Sequence, residues 1–275
     1  MPTTITTSKT LNNGIQMPLL GFGTWQLEQG DETKQAVTWA IEAGYRHVDT
    51  AAIYKNEESV GEAINQSGVP REDIFVTTKC WNGDMRDGRV VEAFEESLGK
   101  LQMDYVDLYL LHWAVGNYVD CWQKMQVIYE SGRAKAIGVS NFMVSHLDKL
   151  LPTASVVPAV NQIEWHPKLQ SPELCAYCRD KGIAVEAWSP LMRGEALDIP
   201  RLIEIGKAHG KTSAQILLRW GIERDVIVIP KSRSQKRIIE NADLYDFTLT
   251  EKELADIDGL DTNKRMGPDP EHVEF

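Results

Sequence analysis

The stretch YVDLYLLHWAVGNYVDCWQKMQVIYESGRAKAIGVSN (105–141) contains one complete structural unit of this chain. Its first nine residues form a mostly apolar run that closes on His112 and Trp113. Val119, Trp122 and Met125 then recur at helical spacing, a pattern that strand alternation does not produce. Gly132 stands where that helix should stop, and AIGVSN (136–141) begins a second apolar run. The stretch therefore predicts strand, helix, strand, which is a parallel crossover.

The same alternation extends in both directions. Apolar or β-branched runs occur at 17–25, 45–50, 74–79, 105–113, 136–141, 156–164, 183–188 and 226–232, eight in all, with amphipathic stretches between them. Val91, Phe94, Leu98 and Leu101 give one such helical face. Ser171-Pro172 reads as an N-cap with proline at the first helical position, Gly44 and Gly182 as stop signals, and Thr250 with Glu253 as a capping box. Eight units with right-handed crossovers predict an α/β fold, a single (β/α)8 TIM barrel spanning 1–275. The competing open, doubly wound sheet usually carries a G-x-G-x-x-G turn, and Gly21-Phe22-Gly23 lacks the third glycine. Asn13-Gly14 predicts a short β-hairpin in the N-terminal region 1–16. The tail 262–275, with two prolines, predicts an irregular segment over the barrel mouth.

Composition narrows the partners. The 275 residues carry 29 Lys+Arg against 40 Asp+Glu, a net charge of −11, which argues against nucleic acid or anionic lipid as the main partner. The polar start MPTTITTSKT lacks a signal-peptide core, and no apolar run approaches membrane-spanning length, so a cytoplasmic protein is expected. Four cysteines are too few for a disulfide framework. The Cys175/Cys178 pair falls within a predicted helix with no second pair to complete a zinc site.

In a barrel of this kind chemistry sits at the C-terminal ends of the strands. Here those ends carry Trp25, Asp49, Lys79, His112 with Trp113, Ser140 with Asn141, Gln162, Trp188, and Lys231 with Ser232. The set contains an acid, a base, an imidazole, an amide and several large aromatics, whereas ordinary strand ends carry turn residues. A salt bridge to Asp49 would keep Lys79 charged, and that ammonium would lower the pKa of a nearby phenol. Tyr54, five residues after Asp49, can supply the phenol, and His112 can donate to a substrate oxygen. After the last strand Lys231, Arg233, Lys236 and Arg237 gather four positive charges with no acid among them. Together with the helix opening near Ser234 they predict a phosphate site.

The segments GFGTW (21–25), YRHVDTAAIYKNE (45–57), DLYLLHW (107–113), AIGVSNF (136–142), NQIEWHP (161–167), EAWSPL (186–191) and IPKS (229–232) closely resemble the aldo-keto reductase family. The resemblance covers nearly the whole chain, with the bacterial glyoxal, methylglyoxal and 2,5-diketo-D-gluconate reductase branch most similar. It implies a catalytic tetrad of Asp49, Tyr54, Lys79 and His112 that reduces small carbonyls with NADPH, Tyr54 acting as general acid. It further implies that Ser140, Asn141 and Gln162 bind the nicotinamide carboxamide and that Trp188 stacks on the ring. Ser189 and Leu191 would follow the pyrophosphate, and Lys231, Ser232 and Arg237 the 2′-phosphate and adenine, with Glu240 and Asn241 nearby. Trp25, Trp81 and Trp113 would line the substrate pocket with Tyr54 and His112.

Short connections after His112 and Trp188 imply small aldehydes, dicarbonyls and keto sugars as substrates, and the family implies a monomer. Relatives commonly read His-Trp-Pro where this chain has Ala114, a departure that bears on the substrate pocket. Two other readings compete. A cofactor-binding redox sensor with little turnover would use the same groove, and a barrel glycoside hydrolase would pair Glu164 with Glu186.

Overall fold

The structure is a computed structural model that describes residues 4–273 and 275. Ser8–Thr10 (β1) and Gln16–Pro18 (β2) form the antiparallel hairpin, turning at Asn13-Gly14 with Gly14 at φ 87°. The hairpin therefore runs two residues past the expected limit of 16. Met17 belongs to it, and the first barrel strand shrinks to Phe22–Gly23 (β3). The apolar run MPLL is shared between the two: Met17 is buried in the hairpin, while Leu20, also fully buried, belongs to the seam that closes the barrel. Asn12 Nδ2 donates to the Pro158 carbonyl and Asn13 Nδ2 to that of Lys135, near the starts of two barrel strands. The hairpin thus covers the end of the barrel opposite the strand tips that carry polar residues.

The remaining strands follow in chain order: His47–Asp49 (β4), Phe75–Cys80 (β5), Val106–Leu111 (β6), Ala134–Ser140 (β7), Val160–Glu164 (β8), Ala184–Trp188 (β9) and Ile227–Val228 (β10). Each is parallel to its neighbour from β3 to β10. The ends of the sheet meet at a parallel bridge between Leu20 and Val228. Gly21 N–H donates to the Val228 carbonyl and Val228 N–H to that of Leu19, both at 2.9 Å, which curls the sheet into the predicted barrel. The run 226–232 pairs over only two residues because Pro230 has no N–H to donate and the chain turns away after it.

Helices fill the connections as their spacing predicts. Val90–Leu101 buries Phe94, Leu98 and Leu101 but leaves Val91 exposed, Val90 taking the inward place one position earlier, and Tyr118–Glu130 buries Trp122 and Met125. Thr250 and Glu253 form the expected reciprocal capping box. Ser171 does precede Pro172 at a helix start, but its φ of 46° turns its hydroxyl away and no capping hydrogen bond forms. Among the described residues no helix is long and apolar enough to cross a membrane.

Candidate active site

One cavity of about 630 Å3 opens at the C-terminal ends of the strands. It is lined by Trp25, Asp49, Tyr54, Trp81, His112, Trp113, Ser140, Asn141, Gln162, Trp188, Ser189, Leu191, Lys231, Ser232, Arg237, Glu240 and Asn241. Those are all the residues the sequence nominated for catalysis, cofactor and substrate except Lys79, which lies beneath the floor with no exposure. Lys79 is there because β5 carries it inward from the neighbouring strand, and its Nζ donates to both Asp49 carboxylate oxygens at 2.7 Å and to the Thr50 carbonyl at 2.8 Å.

Tyr54 closes a short 3-10 turn, Ala52–Tyr54, that folds back after β4. The Lys79 ammonium lies 5.1 Å from the centroid of its ring. Burial would lower the Lys79 pKa, but the adjoining Asp49 and Tyr54 hold it above its ordinary value. The phenol differs from the expectation. Burial pushes Tyr54 up to about 12, and Lys79 opposes that rise without reversing it. Tyr54 is therefore a firmly protonated phenol, the form a proton donor requires. His112 is held well below the ordinary imidazole pKa, first by burial and then by Lys79, so its ring is neutral and one nitrogen can donate. Tyr54 and Trp81 both meet its ring edge to face, with centroids 5.8 and 5.2 Å away.

A hydrogen-bonded chain continues along the adjoining strand ends. Ser140 Oγ donates to the Gln162 carbonyl at 2.9 Å, and Asn141 Nδ2 donates to the His112 carbonyl and to Ser140 Oγ, each at 3.1 Å. Asn141 Oδ1 accepts the Trp188 indole N–H at 2.7 Å. Asn141 adopts φ 62°, a left-handed backbone that turns its amide inward. At the far end of the cavity lie Lys231 and Arg237, which have no ion-pair partner among the described residues. Arg233, the third cation of that cluster, pairs with Glu32 at 2.7 Å and donates to the Gln26 carbonyl. Burial and then Arg233 push Lys231 below its ordinary pKa, and Glu32, which already pairs with Arg233, only partly opposes them, so a half-buried cation stands without an ion-pair partner of its own among the described residues. A phosphate would supply one, and in this respect the groove fits a phosphorylated dinucleotide.

The structure gives Glu164 and Glu186 other partners than a glycoside. Glu164 is buried and accepts from His166 Nε2 at 3.1 Å, from the Met266 N–H at 2.5 Å and from the Gly267 N–H at 3.2 Å. Glu186 is fully buried beneath Gln162. Neither lines the cavity, so the carboxylate pair that hydrolysis needs is absent from it. The tail does lie over the mouth as expected, and it adds wall residues that went unnamed in the sequence. Pro268 and Phe275 line the cavity, and Phe275 stacks on Trp81 with centroids 5.9 Å apart and meets Trp113 edge on at 5.4 Å. Its carbonyl accepts from Asn82 Nδ2 and an Arg86 guanidinium N–H. Arg193, also missed, lies 5.0 Å from the Trp25 ring centroid across the opening. Phe275 follows no barrel strand, and Arg193, five residues past β9, carries no signal of its own in the loop after Trp188.

Comparison with known proteins agrees with this geometry. The model of the aldo/keto reductase family matches residues 19–262. Glyoxal reductase of Bacillus subtilis is 48% identical over 276 residues, covering 100% of both chains. Methylglyoxal reductase of Escherichia coli is 45% identical, covering 95% of this chain and 96% of its own. Among solved structures, an aldo-keto reductase from a deep-sea metagenome library superposes with a TM-score of 0.95 at 45% identity, over 98% of this chain and 100% of that one. An aldo-keto reductase of Bombyx mori in complex with NADP gives a TM-score of 0.88 at 41% identity, over 94% of each chain.

Proposed function

The chain belongs to the aldo/keto reductase family, and on that premise we propose that it uses NADPH to reduce small aldehydes, dicarbonyls such as methylglyoxal, and keto sugars to alcohols. The observation that carries the reading is one cavity with a protonated Tyr54 beside neutral His112 at its floor and, at its far end, Lys231 and Arg237, two cations with no ion-pair partner among the described residues. When bound, NADPH supplies the hydride that the carbonyl carbon receives.

The protein's own residues act on the oxygen. Tyr54 Oη gives its proton to the oxygen as negative charge develops there, and a neutral His112 N–H orients and polarises it. Lys79 favours the phenolate left behind, and Asp49 keeps Lys79 charged. Trp25, Trp81, Trp113 and Phe275 wall off water, which strengthens each of these contacts. Ser140, Asn141, Gln162 and Trp188 are assigned to the nicotinamide end, and Ser189 and Leu191 to the pyrophosphate. Lys231, Ser232 and Arg237, with Glu240 and Asn241, are assigned to the adenosine 2′-phosphate end. A monomer in the cytoplasm is part of the same reading. The test is NADPH consumption with methylglyoxal, a substituted benzaldehyde and a keto sugar, and absence of turnover with all three would overturn the reading.

A further inference from the structure

Glu186 is a buried carboxyl on β9 for which the chemistry above has no use. It sits in register with Gln162 on β8. Gln162 Nε2 donates one hydrogen bond to Asp49 Oδ2 and another to Glu186 Oε2, both at 2.8 Å. Both amide hydrogens are thereby spent on carboxyl oxygens. Turning the amide over would set Gln162 Oε1 against the Asp49 carboxylate, which Lys79 keeps ionised, so the orientation is fixed. Gln162 Oε1 is left with no hydrogen-bond partner among the described residues, on a side chain that lines the cavity.

The charges around this amide do not balance if both acids are ionised. One ammonium, Lys79, contacts Asp49 directly, and Glu186 touches no cation. Glu186 Oε1 is without a hydrogen-bond partner, 3.6 Å from His47 Nε2. His47 is held neutral, its pKa lowered to about 3 by burial and then by Lys79. Burial and the neighbouring Asp49 raise Glu186 to about 8. Burial raises Asp49 as well, but Lys79 on both of its oxygens opposes that rise directly, so the proton is assigned to Glu186, on its free oxygen.

We propose that Glu186 is a positioning residue for the nicotinamide, a neutral acid that locks the Gln162 amide so that Oε1 is presented to the cavity as an acceptor. The proposal rests on reading the groove as an NADP(H) site. It differs from a catalytic role because Glu186 touches neither cavity nor reactant. Without Glu186 one buried amide hydrogen loses its acceptor, and the bond to Asp49 alone is left to hold the Gln162 amide.

The experiment compares binding of NADP+ with binding of 2′-phospho-ADP-ribose, which lacks only the nicotinamide, by titration calorimetry on the wild type, E186M and E186Q. E186M is expected to weaken NADP+ roughly tenfold, the loss of about one buried hydrogen bond, while the fragment stays within twofold. E186Q keeps a carbonyl for Gln162 and an N–H toward His47, and is expected to bind NADP+ as the wild type does. Equal weakening of both ligands, unchanged NADP+ binding in E186M, or an E186Q as defective as E186M would overturn the proposal. Should E186M not fold, E186A carries the same comparison, and the E186Q result stands independently. A wild type that binds neither ligand would instead remove the cofactor reading itself.

Discussion

The backbone of Gly267 lies on the indole of Trp188: a Cβ at 267 would stand 2.5 Å from Cη2 and 3.3 Å from Cζ3 of that ring. The tail residue therefore bounds one side of the ring proposed to stack on nicotinamide, while Asn141 holds the indole N–H on another. G267A must displace the indole or lift the tail. We expect the variant to fold, with NADP+ affinity reduced roughly tenfold or more, in line with an overpacking cost of about 1–3 kcal/mol. Titration of Trp fluorescence with NADP+ reads this, and unchanged affinity would show that the indole has room to move.

Tyr54→Phe removes the proposed acid without disturbing the ring contact to His112. Carbonyl reduction should fall by roughly 10² to 10⁴ in kcat. Because the phenol titrates near 12, it stays protonated from pH 6 to 9 and reduction should not decline through it in that window. Alcohol oxidation needs the phenolate, whose fraction grows with pH, so the reverse rate should climb steadily over the same window. A reverse rate that is flat with pH would remove Tyr54 from the proton transfer.

The barrel was legible in the sequence because its evidence is distributed: eight apolar runs and helical stripes such as Phe94, Leu98 and Leu101 repeat one signal. The cavity floor was legible for a related reason, since Asp49, Lys79 and His112 are polar residues ending apolar runs. What stayed hidden depends on contacts between distant segments. MPLL reads as one apolar run although Met17 goes to the hairpin and Leu20 to the barrel seam. Phe275 and Gly267 have no strand to announce them, and only the folded tail brings them to Trp81 and Trp188. The Tyr54 pKa was misjudged because a nearby ammonium can be read from spacing while the depth of burial cannot.

Lys231 and Arg237 have no ion-pair partner among the described residues where the 2′-phosphate is proposed to bind. Lys231→Ala or Arg237→Ala should each weaken NADPH by about 10- to 100-fold, as expected for losing a charged hydrogen bond of about 1.5–3 kcal/mol. NADH lacks that phosphate, so its affinity should change by less than about twofold. Arg233→Ala serves as the control, because its guanidinium is already engaged by Glu32 and Gln26 and its loss should leave the NADPH to NADH ratio near that of the wild type. Equal effects on both cofactors in the Lys231 variant would count against the phosphate assignment.

Glu164 ties the tail to the barrel, and its stability contribution has a defined pH dependence. Burial alone would raise its pKa, but the hydrogen bonds from His166, Met266 and Gly267 hold it below the ordinary value in the folded protein. A folded value below the unfolded one means the ionised carboxylate stabilises the fold above the unfolded pKa, roughly 4.3, and that this stabilisation disappears as pH falls through the folded value. Glu164→Gln keeps the shape and loses the charge, so it should cost about 1.5–3 kcal/mol at neutral pH, a drop of several degrees in Tm. The gap between the two melting curves should then close as the solution is taken below about pH 4. Because Met266 and Gly267 are the residues released, hydrogen exchange at their amides should rise in the variant while amides of β6 and β7 stay protected. A Tm gap that does not change with pH would mean that the carboxylate holds the tail no better than a neutral amide does.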